Sequence, residues 1–94
     1  FVLEIVDITD FSGKSKLKQI RIKSRVIGTK GKARRIIEGI TNTHICVYGK
    51  TVGIIGEVEK AFAARRAVEM LLSGSRHSSV FSWLERQNDR SVFE

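Results

Sequence analysis

The sequence has 94 residues, enough for one small domain, and its 41% hydrophobic and 29% charged residues exclude an intrinsically disordered chain. No apolar run approaches the ~20 residues that a membrane-spanning helix needs, so we expect no such helix in this sequence. The net charge of +7 is concentrated, because residues 14–35 hold ten lysines and arginines and no acid, and such a segment indicates a polyanionic partner.

The first third of the chain predicts a strand followed by a basic helix. Residues 1–8 are rich in β-branched and apolar side chains, which is typical of a well-covered strand. The composition of residues 10–13 indicates a loop. Between residues 14 and 27 the apolar side chains share one helical face and lysines and arginines occupy the other, so we expect a basic amphipathic helix.

The middle of the chain predicts a second helix and a hairpin. Apolar residues recur at i, i+3, i+4 and i+7 from Ala33 to Ile40, and we expect Gly39 to end this helix. Residues 43–48 and 51–55 read as two antiparallel strands around a short glycine-containing turn.

The last third predicts two helices, one from about residue 57 to residue 72 and one from residue 77 or 78 to about residue 88. The predicted fold class is α+β, a three-stranded antiparallel sheet covered on one face by three helices, with an additional C-terminal helix. We expect residues 1–75 to form the domain and residues 76–94 a helical extension packed on or beside it. Because the chain begins with Phe1, we expect a piece of a longer protein.

Two glycines three residues apart, Gly28 and Gly31, lie between the first two predicted helices. Glycine allows a sharp turn and removes the side chains that would keep another backbone away. The unpaired amides at the start of the following helix, with the positive end of its dipole, favour a phosphate. The basic residues nearest this loop are Lys30, Lys32, Arg34 and Arg35.

Other chemical motifs in the sequence are weak. The segment Gly13-Lys14-Ser15 is similar to the end of a P-loop, but that motif requires glycine where Ile8 stands. The neighbours His44 and Cys46 are too few for a metal site. We therefore expect no enzyme, no metal and no cofactor. The single cysteine is expected to be a small buried hydrophobe in a reducing cytosol.

The order of elements, with two helices flanking the glycine loop and two strands after them, resembles a type I KH domain and its GXXG loop. Residues 25–38 and 43–56, together with residues 67–74 and 77–86, are similar to one KH family in particular. That family is the archaeal counterpart of the dimethylase-interacting, Nob-partner proteins of small-subunit ribosome assembly. The similarity covers nearly the whole chain and corresponds to their second, C-terminal KH domain.

The resemblance implies a cytoplasmic protein that binds single-stranded RNA near the 3′ end of small-subunit rRNA and contacts assembly partners such as the Nob endonuclease. It also implies that the loop amides hold the RNA backbone while bases lie in an apolar groove. One wall of that groove would comprise Val26, Ile27 and Ile36 or Ile37, and the other Ile45 with Lys50. The predicted RNA-binding residues are Arg25, Val26, Ile27, Gly28, Thr29, Lys30, Gly31, Lys32, Arg34, Arg35, Ile45 and Lys50.

Two expectations concern the aromatic residues. We expect none of them near the loop, so hydrogen bonds and phosphate charge, rather than stacking on rings, should dominate RNA binding. Phe81 and Trp83 lie in the last predicted helix. If they were exposed there, the alternative function would be a KH scaffold that docks a ribosome-assembly or translation partner through that helix.

Overall fold

The fold is seen in a computed structural model, which describes residues 1–93, with side chains described as far as residue 88. Along the described part of the chain, no helix is long and apolar enough to cross a membrane. The elements are β1 (Val2–Asp7), α1 (Thr9–Ser12), α2 (Lys16–Ile27), a 3₁₀ turn (Thr29–Gly31), α3 (Lys32–Thr41), β2 (His44–Tyr48), β3 (Thr51–Gly56), α4 (Val58–Leu72) and α5 (His77–Phe93). This order confirms the predicted α+β fold.

The three strands form one antiparallel sheet in the order β1-β3-β2. Across the sheet, Ile54 is the partner of Glu4 on one side and of Ile45 on the other. Strand β2 is therefore an edge strand, and Ile45 directs its backbone N–H and C=O away from the sheet.

The helices cover only one face of the sheet. Alternating strand residues such as Val6, Val52 and Ile54 are buried beneath α2, α3 and α4, and α5 packs over α3 and α4. The opposite face is open, because Leu3 and Ile5 of β1 are more than half exposed. The first strand is therefore covered on one face only, which corrects the expectation of a well-covered strand.

Three local predictions are wrong. Helix α3 passes Gly39 and ends at Thr41, where Asn42 adopts the left-handed conformation at φ 53°. The cysteine is not buried, because Cys46 projects from the open face of the sheet. Residues 10–13 were expected to form a loop, but residues 9–12 form the single helical turn α1. In α4, Val58 and Phe62 are 48% and 54% exposed, and the buried stripe consists of Ala61, Ala64, Ala67, Val68, Leu71 and Leu72.

Candidate nucleic-acid interface

The GXXG loop has the backbone that its glycines predict. Gly28 lies at φ 75° and ψ 175°, Lys30 at φ 55°, and Gly31 at φ 75°. A Cβ atom on Gly28 would lie 2.7 Å from both the Cβ and the backbone nitrogen of Ala33. Helices α2 and α3 therefore approach each other so closely at the loop that position 28 requires glycine.

The loop is open to solvent and internally braced. Arg35 Nη2 donates a hydrogen bond of 2.9 Å to the carbonyl oxygen of Lys30, which fixes the loop from its C-terminal side. Thr29, Lys30 and Lys32 are exposed. Since Gly31 at the N-cap of α3 has no side chain, it cannot cap the first-turn amides of that helix. A rigid turn, two exposed ammonium groups and a helix N-terminus suit an anion with several oxygens.

On one side of the loop, α3 reaches across to the edge strand. Arg34 Nη1 donates to the carbonyl oxygen of Ile45 at 3.1 Å, and the amide of Ile45 donates to Glu38 Oε2 at 2.7 Å. Arg34 Nη1 lies 3.9 Å from Glu38 Oε2, and His44 Nδ1 lies 3.7 Å from the same carboxylate oxygen. We call Arg34, Glu38 and the backbone of Ile45 the edge clamp. The clamp occupies both outward backbone groups of Ile45, which an edge strand otherwise leaves unpaired.

The β2–β3 hairpin is fixed to α2 rather than to the loop. Lys23 Nζ donates to the carbonyl oxygen of Gly49 at 3.0 Å. Lys50 lies close enough to Asp7 to help lower the pKa of that carboxyl group, although the hydrogen bonds from Thr9 lower it more. Lys23 precedes the loop by five residues, or about 7.5 Å along a helix. Lys50 lines a small pocket together with Gln19 and Lys23, which places it beside α2 upstream of the loop.

Three residues of the predicted groove walls have no exposed surface. Val26, Ile37 and Ile45 are fully buried, with 0% of each residue exposed. Their side chains belong to the core, so a base in contact with them would first have to open it. Ile27 is half-buried, and Ile36 faces the opposite side of α3, toward α5. RNA binding by the predicted residues, in the groove and in the loop, stays a prediction.

Arg25 has a structural role that the sequence did not suggest. Its Nε donates to the carbonyl oxygen of Leu71 at 3.0 Å, and its Nη2 donates to that of Ser75. The carbonyl oxygen of Arg25 in turn accepts from His77 Nε2 at 2.8 Å. Because a carbonyl can only accept, Nε2 of His77 carries a hydrogen. Arg25 therefore ties the end of α2 to the connection between α4 and α5.

On the other side of the loop, this arrangement forms a cleft of about 450 Å³ between α2, α3 and the start of α5. The rings of His77 and Phe81 lie with centroids 5.9 Å apart and planes tilted by 58°. The cleft is lined by Ser24, Arg25, Gly28, Thr29, Lys32, Ala33, Ile36, His77 and Phe81. We call it the α5 cleft. It contradicts the expectation that no aromatic residue lies near the loop.

The sequence reasoning missed Glu38, His77 and Phe81. The spacing of His77 and Phe81, four residues apart, predicts that they share one helix face. It does not say which element that face meets. Among the described residues, no group of three or more histidines, cysteines and acids could hold a metal ion.

Comparisons with known proteins identify relatives of the whole chain. The family model described as the eukaryotic-type KH domain (KH-domain type I), second domain of PNO1, matches residues 2–89. A KH domain-containing protein of Methanocaldococcus jannaschii is 44% identical over 90 residues, which cover 96% of this chain and 39% of the relative. The RNA-binding protein pno-1 of Caenorhabditis briggsae is 32% identical and matches over 33% of its length.

Solved structures agree with these matches. A protein from Aeropyrum pernix superposes with a TM-score of 0.93 at 45% identity, covering 95% of this chain and 47% of that one. A chain in the a/eIF2alpha–aDim2p–rRNA complex of Pyrococcus horikoshii superposes with a TM-score of 0.85 at 40% identity, covering 95% and 48%. The present chain therefore spans about half or less of the length of the proteins that it matches.

Proposed function

Since the chain belongs to the type I KH-domain family, in the branch of the second KH domain of PNO1, we propose that it is the RNA-binding module of a ribosome-assembly factor. It binds single-stranded RNA through the GXXG loop, and its target is the 3′ region of small-subunit rRNA. The proposed location is the cytoplasm, and the proposed protein partners are assembly factors such as the Nob endonuclease. A relative whose structure was determined as a complex with rRNA supports the RNA target.

The observation that carries this proposal is the exposed, braced loop. Its backbone conformation at Gly28, Lys30 and Gly31 opens the turn toward solvent ahead of α3. A KH loop of this type clamps a stretch of four nucleotides by their backbone. Because phosphates carry the negative charge of RNA, the exposed ammonium groups of Lys30 and Lys32 add attraction that does not depend on base sequence.

The test is the double variant Thr29→Asp/Lys30→Asp, measured for binding to short single-stranded RNA. Aspartate suits position 30, because Asp and Asn adopt positive φ more readily than most residues and Lys30 lies at φ 55°. The variant places two carboxylates where phosphates would lie, and we expect binding to fall below detection while the thermal unfolding midpoint is preserved. Wild-type binding should also weaken with salt, with a log–log slope of about −3 for four phosphates on a single strand.

A matched control separates local charge from net charge. The double variant Arg66→Asp/Ser82→Asp makes the same change in net charge at two exposed positions on α4 and α5, outside the loop. We expect this control to bind RNA within a few-fold of the wild type. Equal losses in both variants, or no loss in the loop variant, would refute the proposed site.

The finer part of the proposal is the choice of RNA. A set of single-stranded fragments tiled along small-subunit rRNA should bind most tightly when taken from its 3′ region. Because the backbone contacts do not distinguish sequences, this preference must come from contacts to the bases. Equal affinity for fragments from all regions would leave an RNA-binding domain without the proposed target.

A further inference from the structure

We propose that the α5 cleft is a nucleobase pocket, which receives the base of a nucleotide next to the phosphate held by the GXXG loop. The inference rests on the proposed function, because it assumes RNA at the loop. It assigns to α5 a part in RNA binding that the loop and the sheet edge do not supply. The ligand that we propose for it is an unpaired base rather than a protein side chain.

The position of the cleft argues for this occupant. Gly28, Thr29 and Lys32 belong both to the loop and to the lining of the cleft. A nucleotide whose phosphate lies over the loop thus has its sugar at the mouth of the cleft. On the other side of the loop, the edge clamp already occupies the outward backbone groups of Ile45. The α5 cleft is an open space directly beside the loop.

The chemistry of the lining also suits a base. The cleft has a largely apolar surface, to which Ala33 and Ile36 contribute one wall and the half-buried ring of Phe81 contributes another. Bases stack on aromatic rings whatever their identity, because each base has a π-face. The basic residues Arg25 and Lys32 are among the lining residues, and no lining residue is acidic. A negatively charged nucleotide is therefore favoured over an acidic peptide.

The ring pair is held in place before any ligand arrives. His77 Nε2 donates to the carbonyl oxygen of Arg25, and Phe81 packs against the hydrophobic core while remaining partly open to the cleft. The hydrogen bond fixes the orientation of the imidazole ring relative to the end of α2. The pocket thus offers a stacking surface whose position is set before a base binds.

The test combines one protein variant with one RNA change. The RNA is the tightest-binding member of a random ten-nucleotide single-stranded library, selected with the wild type, and an abasic nucleotide replaces each position in turn. Phe81→Leu keeps an apolar side chain but removes the ring, and Phe62→Leu is the control at an exposed aromatic residue on α4 outside the cleft. We expect Phe81→Leu to weaken binding by roughly 5- to 150-fold, the loss that base–aromatic stacking implies. Phe62→Leu should bind as the wild type does.

The abasic series then identifies the base. At one position the abasic substitution should weaken binding to the wild type but not further weaken binding to Phe81→Leu, since both changes remove the same contact. A 2-aminopurine at that position should lose fluorescence on binding the wild type and not on binding Phe81→Leu. This second readout needs only bound RNA, so it remains informative if Phe81→Leu is destabilised.

The outcomes distinguish the two proposals. If Thr29→Asp/Lys30→Asp abolishes binding while Phe81→Leu has no effect and no abasic position couples to it, the loop binds RNA and the base pocket is refuted. If the loop variant binds normally, the proposed function fails first. If Phe81→Leu leaves RNA binding intact but weakens capture of a purified assembly partner, the cleft is a protein site and the inference is overturned.

Discussion

Substitution of Gly28 by alanine tests the close approach of α2 and α3 on which the loop depends. The new methyl carbon would lie 2.7 Å from the Cβ and backbone nitrogen of Ala33, distances that real Cβ atoms do not tolerate. The backbone at φ 75° and ψ 175° is in addition a conformation that glycine alone adopts readily. The backbone strain costs about 1–3 kcal/mol and the overpacking another 1–3 kcal/mol, so we expect a destabilisation of about 2–6 kcal/mol.

The assay is thermal and urea unfolding followed by circular dichroism. For a domain of this size, 1 kcal/mol corresponds to a shift of roughly 4–8 °C, so Gly28→Ala should lower the unfolding midpoint by about 8 °C or more. Two controls separate the cost of backbone strain from the cost of the steric clash with Ala33. Gly13→Ala has a positive φ of 62° and no atom within 4 Å, so it measures backbone strain without a clash. Gly31→Ala, at φ 75° with its nearest neighbour at 3.9 Å, should cost about 1–2 kcal/mol. If Gly28→Ala is no less stable than Gly13→Ala, the inferred contact with Ala33 is wrong.

Three further predictions address the surroundings of the loop. Arg25→Lys replaces the two separate donor nitrogens, Nε and Nη2, by a single ammonium group, so it should lower stability by about 1.5–3 kcal/mol for each charged bond lost, measured by urea unfolding. Glu38→Ala removes the acceptor of a partly buried amide and should destabilise by about 1–3 kcal/mol, whereas Glu38→Gln, which keeps an acceptor, should cost less in the same assay. The hydroxyl and then the amide of Thr9 hold the pKa of Asp7 below its usual 3.8, so the stabilisation from ionised Asp7 is present above that pH and is lost as the pH falls through the lower folded-state pKa. Asp7→Asn should therefore flatten the fall of the unfolding midpoint below pH 3.8 without changing the slope near neutrality.

The order of the elements was predictable because it depends on local signals. The period of the apolar residues from Ala33 to Ile40 and the two-residue turn at Gly49 are both encoded within a few positions of the chain. The glycine loop was predictable for the same reason. Its backbone, with positive φ at both glycines, is the conformation that those residues permit at the lowest cost.

The end of α3 shows where a local signal misleads. Gly39 was expected to end the helix, yet it sits inside it and Asn42 provides the left-handed cap. The hydroxyl of Thr41 lies 2.7 Å from the carbonyl oxygen of Ile37 and 2.7 Å from the hydroxyl of Thr43. Packing of the last turn and these buried hydrogen bonds outweigh the cost of about 1 kcal/mol for a glycine within a helix.

The lining of the site was less predictable because it depends on which helix faces meet. Val26 and Ile45 carry the apolar character of a groove wall, but the same character places them in the core. Arg25 has the charge of a phosphate ligand, but its guanidinium donates to the carbonyl oxygens of Leu71 and Ser75, which lie about fifty positions away in the sequence. Phe81 reaches the loop only because α5 folds back over α3. The periodicity or residue spacing within one segment does not predict such a contact between distant helices.

The edge clamp changes what an RNA strand would meet on the sheet side of the loop. An unpaired edge strand offers base edges a row of backbone donors and acceptors. At Ile45 both outward groups are already bonded, to the guanidinium of Arg34 and the carboxylate of Glu38. A base on that side would have to displace the clamp, at the cost of a charge-assisted hydrogen bond, or contact the clamp itself. If RNA displaced the clamp, Glu38→Ala would bind RNA more tightly than the wild type despite its lower stability. Weaker binding by a folded Glu38→Ala would show instead that the carboxylate is part of the contact surface.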